Sequence, residues 1–455
     1  MAIIAARVQR VKEDSSWIVD EEVVLRACTE AKHDWRERTL GPTATLRAFV
    51  SQVACGNTAI TELTRIMGDA FSPSAYCQAR QRLPVSVVKA VLEEFNARAR
   101  AACLDRSGLW HGHRVGIMDG TGVVMPDTPE LRSFFGVASG YADGCGLPLA
   151  HVLTLFDAHT GLLLDMAVDP GSTHDLRRAH DLHSALRPGD VAIGDRGLCS
   201  YTHLFALSEK HMHGVFRVSK SRNIPFPAGN GPRQLHAYNR HSRSEPVLIQ
   251  SISPDDQLIE IVKPHNRGKH LSQEWFATVP ATMLVRAIRF RVQQPGFRAG
   301  EIVLLTTLLD AQKYPASEIA DLYLMRWRIE QNIRHLKRTL GMERLKCQSK
   351  AGVACELLVF ALVYNAVCVT RVMAAREQKV DPIRVSFIDT LRWMRLSSNH
   401  APIRLDTPPP LRVLPKRPPR IHPRQRKRSD SPYKVMKHPR KESIAYLTTR
   451  IEPAN

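Results

Sequence analysis

Three strand-like segments in succession, then helix, strand, helix and strand between about residues 106 and 222, predict an α/β fold with a ribonuclease H-like core. Two further observations complete the class. Segments of strand character at about 223–308 read as a mainly β insertion that interrupts the core, and residues 1 to about 105 read as a helical N-terminal domain. Hydrophobic residues are 44% of the 455-residue chain, which permits a large core and argues against global disorder.

The N-terminal region is apolar at helical spacing from Thr45 to Cys55, and a second helix starts at Thr58. Ser72-Pro73-Ser74 is a helix start, with Pro one residue after a capping serine. The helix that follows carries Tyr76, Arg80 and Arg82 and stops before Pro84; another runs from Val85 to about Arg100. Short helices with arginines on one of them fit a helix-turn-helix DNA reader, and equally a plain helical packing domain.

The core begins with a strand from Arg114 to Asp119. Two more, Leu149 to Asp157 and Leu162 to Val168, are joined by the turn His159-Thr160-Gly161. A helix from about His174 to Leu186 is expected next, with His174-Asp175 in a capping role. Asp190 to Asp195 is a buried strand, Tyr201 to His211 a helix and Gly214 to Val218 a strand. Pro, Gly, Asn and His are frequent from Ser221 to His241, which reads as loop. In the insertion, Val285–Val292 interleaves arginines with apolar residues, so it makes either a basic face or a sheet extension with solvated arginines. The second part of the core, 309–400, holds one long helix from about Ser317 to Gly341 and helices near Cys355–Arg376 and Phe387–Met394. Residues 401–455 are basic and proline-rich, cannot bury a core and are expected to be disordered when free. Such a tail is an electrostatic arm for phosphates or a passive solubilising segment.

Lys and Arg number 64 against 44 Asp and Glu, a formal net charge of +20, so a polyanionic partner is expected. Nucleic acid is favoured over a membrane, because the sequence has no basic amphipathic helix with a bulky apolar face. Nine cysteines without a C-x-x-C pair read as reduced structural thiols, which excludes a zinc finger or disulfide framework. The opening Met1–Arg7 is too short an apolar run for a signal peptide, and Leu357–Val369, interrupted by Tyr364 and Asn365, fits a buried helix better than a membrane span. A cytosolic protein is expected.

The chemistry concentrates in three acids. On the long helix, Leu322, Met325, Ile329, Ile333, Leu336 and Leu340 form one apolar stripe. Tyr323, Arg326, Glu330 and Lys337 form a second, bordering it at roughly 80°. A surface helix normally places its charges opposite the core; this border row suits a phosphate backbone and a metal ion. Asp119 and Asp195 each close an apolar strand just before a glycine turn, where a side chain can reach a ligand. Each alone is an ordinary turn signal. With Glu330 they make an oxygen donor set for hard divalent cations, which activate an attacking hydroxyl and neutralise the leaving oxygen of a phosphodiester. Other candidates are weaker. Trp110-His111-Gly112-His113 lacks a third ligand at metal spacing, Asp157 and Asp165 suit turns, and Gly194–Gly197 has no Walker lysine.

These residues resemble the DDE transposases of bacterial insertion sequences, in the subgroup with a β-rich insertion and a Tyr-Arg-Glu-Lys signature, Y-x-x-R-x-x-x-E-x-x-x-x-x-x-K. Tyr323, Arg326, Glu330 and Lys337 match all four signature positions, and Ile117-Met118-Asp119-Gly120-Thr121 and Ile193-Gly194-Asp195-Arg196-Gly197 look like the two aspartate blocks. The resemblance, over roughly residues 45–370, implies Mg²⁺ or Mn²⁺, two ions, on Asp119, Asp195 and Glu330. It implies nicking of the element ends by water, then attack of the freed 3′-hydroxyl on target DNA. It also implies phosphate contacts from Arg326 and Lys337, with Tyr323 positioning the 5′ strand. The DNA partners are the terminal inverted repeats and the target, and a homodimer is expected in the DNA complex. Some relatives flip a base onto an aromatic of the insertion; Trp275 is the candidate here. The alternatives are a ribonuclease H-like nuclease without strand transfer and a non-catalytic DNA-binding relative. Truncation after about residue 400 is expected to reduce the salt slope of DNA affinity, measured by titration at several salt concentrations; an unchanged slope would assign the tail no phosphate contacts.

Overall fold

The computed structural model describes residues 17–36, 38–104, 108–138, 145–219, 224, 226, 246–292, 300–397 and 412–415. The expected loop at Ser221–His241 lies almost wholly outside the described residues, as does the tail apart from 412–415.

Five helices lead: α1 (Glu21–Glu30), α2 (Pro42–Ala54), α3 (Ile60–Ile66), α4 (Pro73–Arg82) and α5 (Val85–Cys103). The start signal at Ser72 works as expected, since its hydroxyl accepts from Ala75 N at 3.2 Å. Tyr76 and Arg80, on the helix read above as part of a possible DNA reader, are buried. Both donate to Gln52 Oε1, at 2.9 and 3.0 Å, and the Arg80 guanidinium lies over the Phe49 ring. These two side chains hold α4 against α2 and are not available to a groove.

The sheet follows. It comprises β1 (Val115–Val124), β2 (Leu149–Asp157), β3 (Leu163–Pro170), β4 (Val191–Gly194), β5 (His213–Arg217), β6 (Val247–Ser253), β7 (Asp256–Val262), β8 (Thr282–Val292) and β9 (Gly300–Thr306). All nine form one mixed sheet in the order β3-β2-β1-β4-β5-β9-β8-β7-β6. The pairs β1–β2 and β2–β3 are antiparallel, whereas β1–β4 and β4–β5 are parallel. The arginine-rich β8 is thus an extension of the central sheet, reached through β9 on β5. Its Arg286 is fully buried and forms a two-pronged pair with Asp256, at 2.7 and 2.5 Å, while also donating to Tyr314 O at 2.7 Å. Arg289 pairs with Asp255. The acids of the β6–β7 turn neutralise two of the arginines that sequence alone allows to form a basic face.

Short helices α6 (Pro129–Phe135), α7 (Leu176–Ala179), α8 (Tyr201–Glu209) and α9 (Gln273–Thr278) connect the strands. The expected helix from His174 to Leu186 is replaced by α7 and a 3₁₀ segment, Asp181–Ala185. A tighter helix brings residues three apart over one another. His180 and His183 accordingly stack at 5.4 Å, and His183 stacks on His203 of α8 at 5.1 Å.

The long helix expected from Ser317 to Gly341 is also broken. It becomes α10 (Ala316–Leu324), α11 (Trp327–Arg334) and a π segment, His335–Thr339. At the first break the backbone tightens, with Arg326 N bonding Tyr323 O and Arg328 N bonding Met325 O; at the second it widens, with Leu340 N bonding His335 O. Each change alters the rotation per residue, so the even polar stripe of a regular helix does not survive intact. The chain ends in α12 (Lys350–Glu377), a 3₁₀ turn (Pro382–Arg384) and α13 (Phe387–Ser397). By length and composition α12 could cross a membrane, but 83% of its most apolar window is buried inside the protein, as expected of a core helix. It packs on α5 and α2, and one apolar cluster runs from these helices through the sheet.

Asp256→Ala leaves the Arg286 charge buried without its acid, so a loss of about 3–5 kcal/mol in unfolding free energy is expected, read from urea melts. A loss below about 1 kcal/mol would mean that the pair is not needed to hold β7 and β8 together.

Candidate active site

The register of the parallel strands builds the site. Val115, Gly116 and Ile117 of β1 face Val191, Ala192 and Ile193 of β4. Carried two residues on, that register sets Asp119 opposite Asp195, just past the end of β4. The β4–β5 pairing, Val191 with His213 through Gly194 with Phe216, likewise carries Asp195 opposite Arg217. Paired residues share a face of a sheet. Asp119, Asp195 and Arg217 therefore form one row on one face, across three adjacent strands.

The two aspartates are held in place from their own backbone. Asp119 Oδ1 accepts from Gly120 N at 3.0 Å, and Asp195 Oδ1 accepts from Gly197 N at 2.7 Å. Thr154, opposite Asp119 on β2, donates its hydroxyl to Asp119 O at 2.8 Å. Burial pushes the Asp119 carboxyl up to about 6. Arg326 opposes that shift, and the charges of Asp195 and Asp175 add to it.

Of the signature residues, Arg326 comes directly to the pair, with NH1 3.7 Å from Asp119 Oδ2. Its Nε is buried without a hydrogen-bond partner. Tyr323 is buried at the end of α10, its ring centroid 5.9 Å from the Arg326 guanidinium. Burial raises the Tyr323 phenol, while Arg326 and Arg217 lower it. Lys337, on the π segment, donates to Gly122 O of β1 at 2.9 Å, and burial lowers its ammonium pKa. Glu330 is half-buried in the first turn of α11, the helix that packs against β1. It does not complete a ligand set: among the described residues, no three His, Cys, Asp or Glu side chains are arranged to hold a metal ion. The structure thus brings Asp119, Asp195, Arg326 and Tyr323 together and sets Lys337 farther along β1.

Two residues escaped the sequence reading. Arg217 carries no local signal; only the strand register reveals it. Asp175, expected to cap a helix, makes no side-chain cap and instead accepts from His151 Nε2 at 2.6 Å. The weaker candidates have structural roles. His113 contacts Tyr314 OH at 2.7 Å and Gly189 O at 2.5 Å, and Asp157 accepts from Thr160 N at 2.7 Å. Trp275 packs on Phe205 and His180 and donates to Glu209 at 3.1 Å.

The fold is a mixed α/β sheet with Asp119 within β1 and Asp195 just past the end of the neighbouring parallel strand β4. Residues 110–366, more than half of the chain, match the family described as Transposase DDE domain, and the chain belongs to that family. It is 26% identical over 320 residues to the transposase InsG for insertion sequence element IS4 of Escherichia coli (strain K12), covering 68% of this chain and 63% of that one. It is 24% identical over 265 residues to the transposase for insertion sequence element IS231F of Bacillus thuringiensis subsp. israelensis, covering 52% and 54%. The chain therefore spans less than two thirds of the length of these two relatives. A cryo-EM structure of the piggyBac transposase synaptic complex with hairpin DNA superposes with a TM-score of 0.44 at 11% identity, covering 86% of this chain and 79% of that one, a likeness too low to carry an argument.

A Cβ added to Gly120 would lie 2.3 Å from Asp175 Oδ1 and 2.5 Å from His151 Cε1. Gly120→Ala is expected to cost about 1–3 kcal/mol by overpacking, measured by thermal unfolding; an unchanged melting temperature would contradict this packing.

Proposed function

We propose that this chain is an insertion-sequence transposase that cuts the element ends by metal-assisted phosphodiester hydrolysis and joins the 3′-hydroxyl ends to target DNA, in a cut-and-paste reaction. The observation that carries the reading is the β1–β4 register, which brings Asp119 beside Asp195 from positions far apart in the chain. Family membership supports it. So does the strand order β3-β2-β1-β4-β5, with β4 and β5 parallel to β1, the order expected of a ribonuclease H-like core. On this reading β6–β9 are the insertion, residues 1–105 the DNA-binding domain, and Tyr323, Arg326, Glu330 and Lys337 the Tyr-Arg-Glu-Lys signature.

The residues present fit a divalent cation in part. Two carboxylates converge, with burial raising the Asp119 carboxyl, and oxygen is the donor for a hard ion such as Mg²⁺ or Mn²⁺. Bound there, two such ions would lower the pKa of the attacking hydroxyl and neutralise the departing oxygen. Glu330 is the third acid of the reading, carried on α11, the helix that packs against β1. The break between α10 and α11 lies four residues before it. Arg326 balances the Asp119 charge and, with Lys337 and Arg217, offers phosphate contacts; Tyr323 orients the 5′ strand. The DNA partners are the element's inverted repeats and the target, engaged by a homodimer in the cytoplasm.

Asp119→Asn, Asp195→Asn and Glu330→Gln are each expected to abolish cleavage of an element-end duplex while leaving its binding nearly intact. Parallel loss of binding would point to a folding role. Arg326→Ala and Lys337→Ala are expected to slow strand joining more than the first nick, resolved on pre-cut and uncut duplexes; equal losses at both steps would contradict the division of roles.

A further inference from the structure

Asp175 and His151 form a half-buried polar pair that neither the signature nor the proposed triad uses. His151 is on β2, opposite Gly122 of β1, and so on the sheet face shared by Gly120 and Gly122. Asp119 and Asp195 occupy the opposite face. Yet β4 ends at Gly194, and past that end Asp175 comes close to the Asp195 turn. Its Oδ2 and Asp195 Oδ1 lie 3.5 and 3.0 Å from the point where a Cβ would stand on Gly197. Its other oxygen, Oδ1, is taken by His151 at 2.6 Å.

Three features make this more than a chance contact. The Asp175 and His151 side chains are only 21% and 19% exposed, so the carboxylate is fixed in a partly desolvated place. The space for the pair exists because position 120 has no side chain: a Cβ there would lie 2.3 Å from Asp175 Oδ1 and 2.8 Å from His151 Nε2. And the oxygen that His151 leaves is the one that faces Gly197 and the Asp195 turn. A carboxylate oriented by an imidazole beside two further carboxylates adds negative charge and a fixed hydrogen-bond acceptor to the rim of a cation site.

We propose that Asp175, oriented by His151, is a positioning residue of the Asp119–Asp195 site: it raises the affinity of that site for a divalent cation without being one of its direct ligands. The inference rests on the transposase reading of Asp119 and Asp195. His151 acts only through Asp175, by keeping Oδ2 turned toward the Asp195 turn.

The test is Mn²⁺ binding to the full chain without DNA, by isothermal titration calorimetry, for the wild type and for Asp119→Asn, Asp175→Asn, His151→Gln and the Asp175→Asn/His151→Gln double variant. Partners around a metal site change its affinity by about 10–100-fold, so Asp175→Asn is expected to weaken Mn²⁺ binding about 10-fold, with folding checked by circular dichroism. His151→Gln is expected to weaken it less, and the double variant no more than Asp175→Asn alone, because the two residues act as one unit. If Asp119→Asn abolishes binding while Asp175→Asn stays within about twofold of wild type, the positioning role is overturned and the transposase reading stands. Additive losses in the double variant would equally overturn the linkage through His151. If Asp175→Asn fails to fold, His151→Gln decides alone: unchanged Mn²⁺ affinity in a folded variant overturns the proposal. If Asp119→Asn itself leaves Mn²⁺ binding unchanged, the reading beneath the proposal fails.

Discussion

The hydrogen-bonded ladder between β1 and β4 is the constraint on which the site depends. Parallel pairing fixes which residues stand side by side, and a slip of one residue would turn every side chain of one strand to the other face. In this register Asp119 meets Asp195, and the same row continues to Arg217 on β5. The apolar runs Val115–Met118 and Val191–Ile193 specify that register by burial, since both are almost completely enclosed. The cost of bringing two acids together is thus met by packing a few residues away.

Charge balance is the second theme. Burial and two like charges raise the Asp119 carboxyl to about 6, and Arg326 counters them from 3.7 Å. The break between α10 and α11 gives this arginine its approach, because it sits at the turn and not along a regular helical stripe. Two other buried charged groups are met by close polar partners. Arg286 is matched by Asp256, and Glu356 accepts from Asn57 Nδ2 at 2.7 Å and from Lys346 N and Cys347 N, both at 2.9 Å. Asp119 instead has Arg326 at 3.7 Å against the like charges of Asp195 and Asp175, an arrangement that favours uptake of further positive charge.

Much of this was legible in the sequence. Asp195 just past the end of its strand and the Ser72-Pro73 start are local patterns with counterparts in the structure. Asp119 instead lies within β1, which runs on through Gly120 to Val124 on its pairing with β2, and the short helix Pro129–Phe135 separates the first strand from the second. Three things were not legible for physical reasons. The breaks in the long helix come from tightened and widened turns that residue spacing does not encode. Arg80 and Arg286 look like surface cations in sequence, but each finds a partner far along the chain, Gln52 and Asp256, that makes burial tolerable. Asp175 reads as a cap because it begins a helix; its real partner, His151, lies on a different strand, and the glycine that makes room for it carries no side chain to advertise the contact.

The account turns on whether Glu330 joins the two aspartates. The most direct measurement is the anomalous signal from Mn²⁺ in a crystal of the full chain with a cleaved element-end duplex. The account predicts a peak between Asp119 and Asp195, with a Glu330 carboxylate oxygen within about 2.5 Å of it, the outer range for oxygen on a hard divalent ion. A peak elsewhere, or one flanked by the aspartates without a Glu330 oxygen beside it, would contradict it.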